Sequence, residues 1–283
     1  MLSVLKNKES CKMKIWVISA LMMAMNLSAF AAVKGTPVEY NADGVTLKGY
    51  LAYDDAINKP RPAVLVVHEW WGHNAYARKR AEMLAELGYT ALAVDMYGDG
   101  KTAEHPKDAG AFAGEVLKNK ELAKSRFLAA MNFLKEQPTV QKENLAAIGY
   151  CFGGATVLNM ARMGLDLKGV ASFHGMLSTK SPAKEGVIKA KIIAFNGESD
   201  AMIPQEDVDA FKSEMKAAKA DFEYVGYPNV EHSFTNPNAD EIAKKFSLPL
   251  AYDKDADNDS WKKLQDFLKR IFIPSSKERG VRG

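Results

Sequence analysis

The sequence predicts an α/β fold: a mostly parallel central sheet with helices packed on both faces. Three observations predict it. Strand-like and helix-like segments alternate through most of the 283 residues, the pattern of a sheet built by crossover connections. Ala63–Val67 is a continuous, valine-rich apolar run, as expected of a strand buried on both faces. A glycine-flanked cysteine, in Gly149-Tyr150-Cys151-Phe152-Gly153-Gly154, separates a strand-like run at Leu145–Ile148 from a helical one at Ala155–Met163.

The elements follow in chain order. Residues 1–31 read as a signal peptide, because Lys12 and Lys14 precede an apolar run, Ile15–Phe30, that closes on Ala29-Phe30-Ala31. The run is short for a membrane span. Export to the periplasm or medium is expected, without stable membrane association after cleavage; a retained anchor is the alternative. Thr36–Tyr40 and Val45–Ala52 form a hairpin about Asn41-Ala42-Asp43-Gly44. Ala63–Val67 leads to a helix at Tyr76–Leu87, ended by Gly88, and a strand at Thr90–Val94. Helices at Pro106–Lys118 and Lys120–Glu136 precede the cysteine turn. Strands at Gly169–Phe173 and Lys191–Phe195 come next, then a helix at Pro204–Lys219, a strand at Phe222–Tyr227 and a terminal helix at Ser260–Ile273. No linker divides 32–274, which reads as one domain. The polar segment 275–283 reads as a disordered tail.

Charge gives no argument for a nucleic-acid partner. The 38 Lys and Arg less four in the leader leave 34, and the 35 acids less one leave 34, so the mature chain is neutral. Loss of the leader also removes Cys11 and makes Cys151 the sole cysteine. Exported proteins ordinarily hold cysteines in pairs, so a single thiol is either used or deeply buried.

The strand–turn–helix setting of Cys151 is that of a nucleophile elbow, with cysteine in the place of serine. Flanking glycines are needed because side chains there would collide with the adjacent strand and helix. A buried structural cysteine is the alternative. Asp200, after the strand at Lys191, and His232, after the strand at Phe222, decide between them. The order nucleophile, acid, histidine is that of α/β-hydrolase triads and of neither chymotrypsin nor subtilisin.

With these residues placed, the chain resembles the dienelactone hydrolase family of α/β-hydrolases over roughly Thr36 to Ile273. The most specific elements are G-Y-C-F-G-G, the segment V-V-H-E-W-W-G-H-N, the position of Asp200 and the E-H-S-F around His232. The resemblance implies an ester- or lactone-hydrolysing monomer that uses Cys151, His232 and Asp200 through a thioester acyl-enzyme. It gives Glu69 the role of taking the thiol proton when substrate binds; a buried acid paired with His68 or Arg78 is the alternative. Backbone N–H groups of Phe152 and Trp70 are the expected oxyanion donors. Where well-studied members carry a substrate-binding arginine four residues after the histidine, this chain has Asn236. An amide gives up charge-assisted recognition, so Asn236, Trp71 and Phe234 are expected to bind an apolar or aromatic substrate rather than the charged dienelactone; packing of Trp71 and Phe234 in the core is the alternative.

Other signals are weaker. His73 and His105 read as surface groups, His174 as a core residue near the site, and His68 as shaping the oxyanion loop. None has metal-ligand spacing, and neither metal nor cofactor is expected. Asp253–Asp259 resembles a calcium loop but has Asn258 and Leu264 where that template needs Gly and Glu, so these acids are expected to cap the terminal helix. Two rival functions are an inactive envelope binding module on the same fold and a thiol-redox role, the second weakened by the lack of a resolving cysteine.

Overall fold

The computed structural model describes residues 33–272; the expected signal peptide and polar tail lie outside the described residues. The chain enters through a hairpin of β1 (Val33–Ala42) and β2 (Val45–Asp54), paired antiparallel along their full length. Asp43 and Gly44 form a two-residue turn with φ of 51° and 82°, the left-handed pair that matches the twist of the flanking strands.

The other strands are β3 (Arg61–Val67), β4 (Thr90–Val94), β5 (Val140–Tyr150), β6 (Gly169–Phe173), β7 (Lys191–Gly197) and β8 (Phe222–Tyr227). They form one eight-stranded sheet of order β1-β2-β4-β3-β5-β6-β7-β8, parallel from β4 through β8. Strand alternation sorts its side chains cleanly. Leu65, Val67, Leu92 and Ala147 face one core; Val64, Val66, Ala93 and Ile148 face the other. Both faces are apolar, so both must be covered.

Helices α2 (Pro106–Lys118), α3 (Lys120–Lys135), α4 (Phe152–Arg162) and α5 (Gln205–Ala217) bring Val116, Phe127, Val157 and Phe211 to the first core. Helices α1 (Ala75–Glu86) and α7 (Lys254–Phe272) bring Leu84 and Phe267 to the second. Asn74 caps α1 through its side chain, and Gly88, at φ 88°, closes it with a bond to Ala85 O.

One expectation needs correcting. The terminal helix begins six residues earlier than its apolar pattern, at Lys254: Asp253 accepts from Ala256 N at 2.8 Å, and the following acids lie in the first turn, where the helix dipole favours them. A short helix, α6 (Ala239–Phe246), lies between β8 and the terminal helix, in a stretch assigned no element above. Ala239, Ile242, Ala243 and Phe246 fall on one face of it at helical spacing, with Ala239 fully buried.

Strand order reverses at β3, which has β4 on one side and β5 on the other. Segments leaving the carboxyl ends of β3 and β5 therefore diverge at that point, where open α/β sheets place their ligands. Val67 and Gly149 are paired across this seam, which sets Glu69 and Cys151 on neighbouring strand ends.

Candidate active site

Cys151 links β5 to α4 with φ 54° and ψ −115°, a conformation that L-residues rarely hold. The surroundings enforce it. Its N–H donates to Phe173 O at 2.9 Å, and a Cβ on Gly149 would fall 2.1 Å from Gly153 O. One on Gly153 would fall 2.3 Å from Val67 O, so only glycine lets α4 approach β3 this closely. The thiol is partly exposed.

Beside it stands His232, 2 % exposed. Its Nδ1 meets Asp200 Oδ2 at 2.7 Å, and the other Asp200 oxygen accepts from Met202 N at 2.8 Å. Burial by itself would push this imidazole down. The Cys151 charge and the Asp200 hydrogen bond and charge prevail, raising it to about 10. The three residues leave the ends of β5, β8 and β7, and the buried His232 Nε2 makes no hydrogen bond to a described residue.

Glu69 is 2 % exposed and forms no ion pair with a cationic side chain among the described residues. Asn236 Nδ2 donates to its Oε2 at 2.6 Å and Ser233 Oγ to its Oε1 at 3.2 Å. Burial drives this carboxyl upward, opposed by Asn236, the His232 charge, Ser233 and Arg80. Neither His68 nor Arg78 pairs with it. The His68 Nδ1 contacts Glu69 O at 2.6 Å and its Nε2 accepts from Met96 N, while burial lowers the ring to about 4.

The Trp70 and Phe152 N–H groups donate to no other described residue. Trp70 is held from behind by Tyr97, whose hydroxyl donates to Trp70 O at 3.0 Å, and Phe152 stacks on His68 at 5.5 Å. These contacts fix the β3 loop against the start of α4.

Three expectations differ from the structure. Phe234 is fully buried against His174 and Tyr227 and faces the core instead of substrate. Asn236 borders an open cavity, but its amide is committed to Glu69. His73 is 3 % exposed, not a surface group; burial with the nearby His68 and Arg78 charges lowers it to about 3. Trp71 does line the cavity, and His105 is an exposed cap of α2.

A second layer of polar residues was not read from the sequence. Thr235 Oγ1 meets Tyr76 OH at 2.6 Å and His174 Nε2 at 2.8 Å, and Thr235 O accepts from Arg80 Nη2. Arg80 also pairs with Asp257 at 2.7 Å. The His174 ring in turn meets that of His232 edge-on at 5.0 Å. The segment 232–236 is therefore pinned at every residue by a side-chain or backbone polar contact, Phe234 through its carbonyl, which accepts from Asp253 N at 3.1 Å; this is how a loop is held rigid around a reactive imidazole. Ser233 and Thr235 could have been suspected from their place beside His232; Arg80 and Asp257 lie too far apart in sequence to signal each other. No group of three or more His, Cys, Asp or Glu able to hold a metal occurs among the described residues.

Comparison with known proteins agrees with this architecture. The profile of the dienelactone hydrolase family matches residues 47–272. The crystal structure of a dienelactone hydrolase-like promiscuous phosphotriesterase, P91, from metagenomic libraries superposes with a TM-score of 0.79 at 32 % identity, covering 86 % of this chain and 100 % of the other. A structure titled m3DLH gives 0.81 at 32 % identity with the same coverage. Protein usf of Aquifex pyrophilus is 28 % identical over 83 % of this chain and 98 % of its own length. An Aquifex aeolicus protein bearing the name carboxymethylenebutenolidase is 26 % identical with the same coverage of both chains. The chain belongs to the dienelactone hydrolase family and has the α/β-hydrolase fold.

Proposed function

We propose that this hydrolase cleaves carboxylic esters or lactones, with Cys151 as nucleophile, His232 as general acid and base, Asp200 as its orienting carboxylate and Glu69 as acceptor of the thiol proton. One observation carries the reading above all. A cysteine held in a strained elbow stands beside an imidazole that a buried carboxylate orients.

The cycle follows from the positions. The Cys151 sulfur attacks the carbonyl carbon, and the Phe152 and Trp70 N–H groups take the oxyanion; one such donor is worth about 10²–10³ in kcat. Collapse breaks the bond to the alcohol oxygen, which receives a proton from His232 and leaves a thioester on Cys151. His232 then removes a proton from water, whose attack releases the acid and restores the thiol. Glu69 suits proton acceptance because burial already raises its affinity for one.

The test compares the purified protein with Cys151→Ala on p-nitrophenyl acetate and on a neutral enol lactone. Expected is loss of turnover in the variant and a Cys151 thioester visible by mass spectrometry in His232→Ala. Wild-type rates in Cys151→Ala would refute the scheme.

The likeness to P91 favours a second activity, phosphotriester hydrolysis at the same cysteine. Multiple turnovers of paraoxon support it; a single stoichiometric inactivation opposes it. We further propose export through residues 1–31, which N-terminal sequencing of the mature protein tests.

A further inference from the structure

We propose that the cavity beside the site seats an uncharged aryl group of the substrate, and that α6 sets this preference. The inference rests on the ester-hydrolase reading and names the substrate class that reading leaves open.

The cavity has a volume of about 420 Å³, ample for a substituted ring. It adjoins the site through Trp71, next to Trp70, and through Asn236, whose amide holds Glu69. Cys151 is not among its walls, so its occupant is the part of the substrate remote from the reacting carbonyl. The apolar walls are Trp71, Tyr76, Ile242 and Phe246. The Trp71 and Phe246 rings lie 6.0 Å apart at 28°, the offset parallel arrangement that a third ring can extend.

The polar walls argue against an anion. The Asn74 Oδ1 accepts from the Tyr76 and Ala77 N–H groups, which leaves its NH2 as a neutral donor on the wall. The Asn236 amide serves Glu69 and Asn238 N, and the Tyr76 hydroxyl serves Thr235 and Arg80. The charged groups are an exposed rim of Glu104, Glu241 and Lys245, beside the uncharged Asn74 and Asn238, and the Lys245 ammonium lies over the Phe246 ring at 4.9 Å. Two carboxylates against one ammonium repel a carboxylated substrate. Ile242 and Phe246 reach the cavity from α6, whose fully buried residue is Ala239; both side chains are themselves partly exposed. Neither belongs to the two apolar cores, so their replacement changes the pocket wall, at the cost in Phe246→Ala of the stacking on Trp71.

The experiment measures kcat/KM for ethyl acetate, benzyl acetate and 4-carboxybenzyl acetate in the full-length protein, Phe246→Ala, Ile242→Ala and Glu104→Gln/Glu241→Gln. Expected is a benzyl-over-ethyl preference that falls about tenfold in Phe246→Ala and in the same direction in Ile242→Ala, about 1.4 kcal/mol of aromatic and apolar contact. The wild type should disfavour the carboxylated ester, and the double Gln variant should relieve that discrimination severalfold. An unmoved benzyl-to-ethyl ratio in both α6 variants, or equal wild-type rates on the two benzyl esters, overturns the proposal while leaving the hydrolase reading intact. Hydrolysis of none of the three overturns both.

Discussion

Asn236 donates to Glu69 at 2.6 Å, and this bond joins the loop after β8 to the loop after β3. A side chain expected to meet substrate is thereby a fixed partner of a buried acid, and the acid is shared between two residues of the loop that carries His232. Glu69 is thus stabilised by amide and hydroxyl donors instead of by a neighbouring ammonium or guanidinium. Neutral donors leave its proton affinity high.

Asn236→Leu keeps the volume and removes that donor. It should cost about 1–3 kcal/mol, the penalty of stranding a buried acceptor. Glu69 already has its folded value raised, so its favourable contribution is present below its unfolded value of 4.5 and is lost as pH rises through the folded one. The variant raises that value further. Urea midpoints between pH 4 and pH 8 should therefore separate progressively from wild type as pH increases; parallel curves would contradict this.

His232 gives a second window. Its value rises from 6.5 to about 10 on folding, so its stabilisation is full below pH 6.5 and disappears as pH passes through about 10. The stability gap between wild type and His232→Gln should shrink over that interval, as read by thermal denaturation at successive pH values. A gap that widens toward pH 10 would mean the imidazole is not held charged by Cys151 and Asp200.

Gly153→Ala tests the elbow. The added methyl would lie 2.3 Å from Val67 O, which belongs to a central strand and cannot yield. A loss of about 3 kcal/mol or more is expected, with turnover lost in whatever fraction folds. Retention of wild-type melting temperature would show that α4 can shift away from β3.

Arg80 is 4 % exposed, pairs with Asp257 and lies against the rings of Tyr76, Tyr150 and Trp261. Arg80→Met leaves Asp257 without its cation and should cost roughly 3–5 kcal/mol. Because Arg80 also holds Thr235 O, kcat should fall in the folded variant with little change in KM. An unaltered kcat would separate this buried pair from the histidine loop.

Local pattern determined much of this protein. The strands at Thr90, Gly169 and Phe222 and the helix at Pro106 have the bounds that their periodicity implied, since apolar alternation and glycine punctuation act within a few residues. The elbow, too, is a local object, and the order of Cys151, Asp200 and His232 could be read along the chain. Only the tertiary structure decided what surrounds them. It turned Phe234 and His73 inward, joined Asn236 to Glu69, brought Arg80 to Asp257 and placed α6 beside the cavity. Burial and partnership of a polar side chain depend on groups that arrive from distant strands, and no local periodicity encodes them.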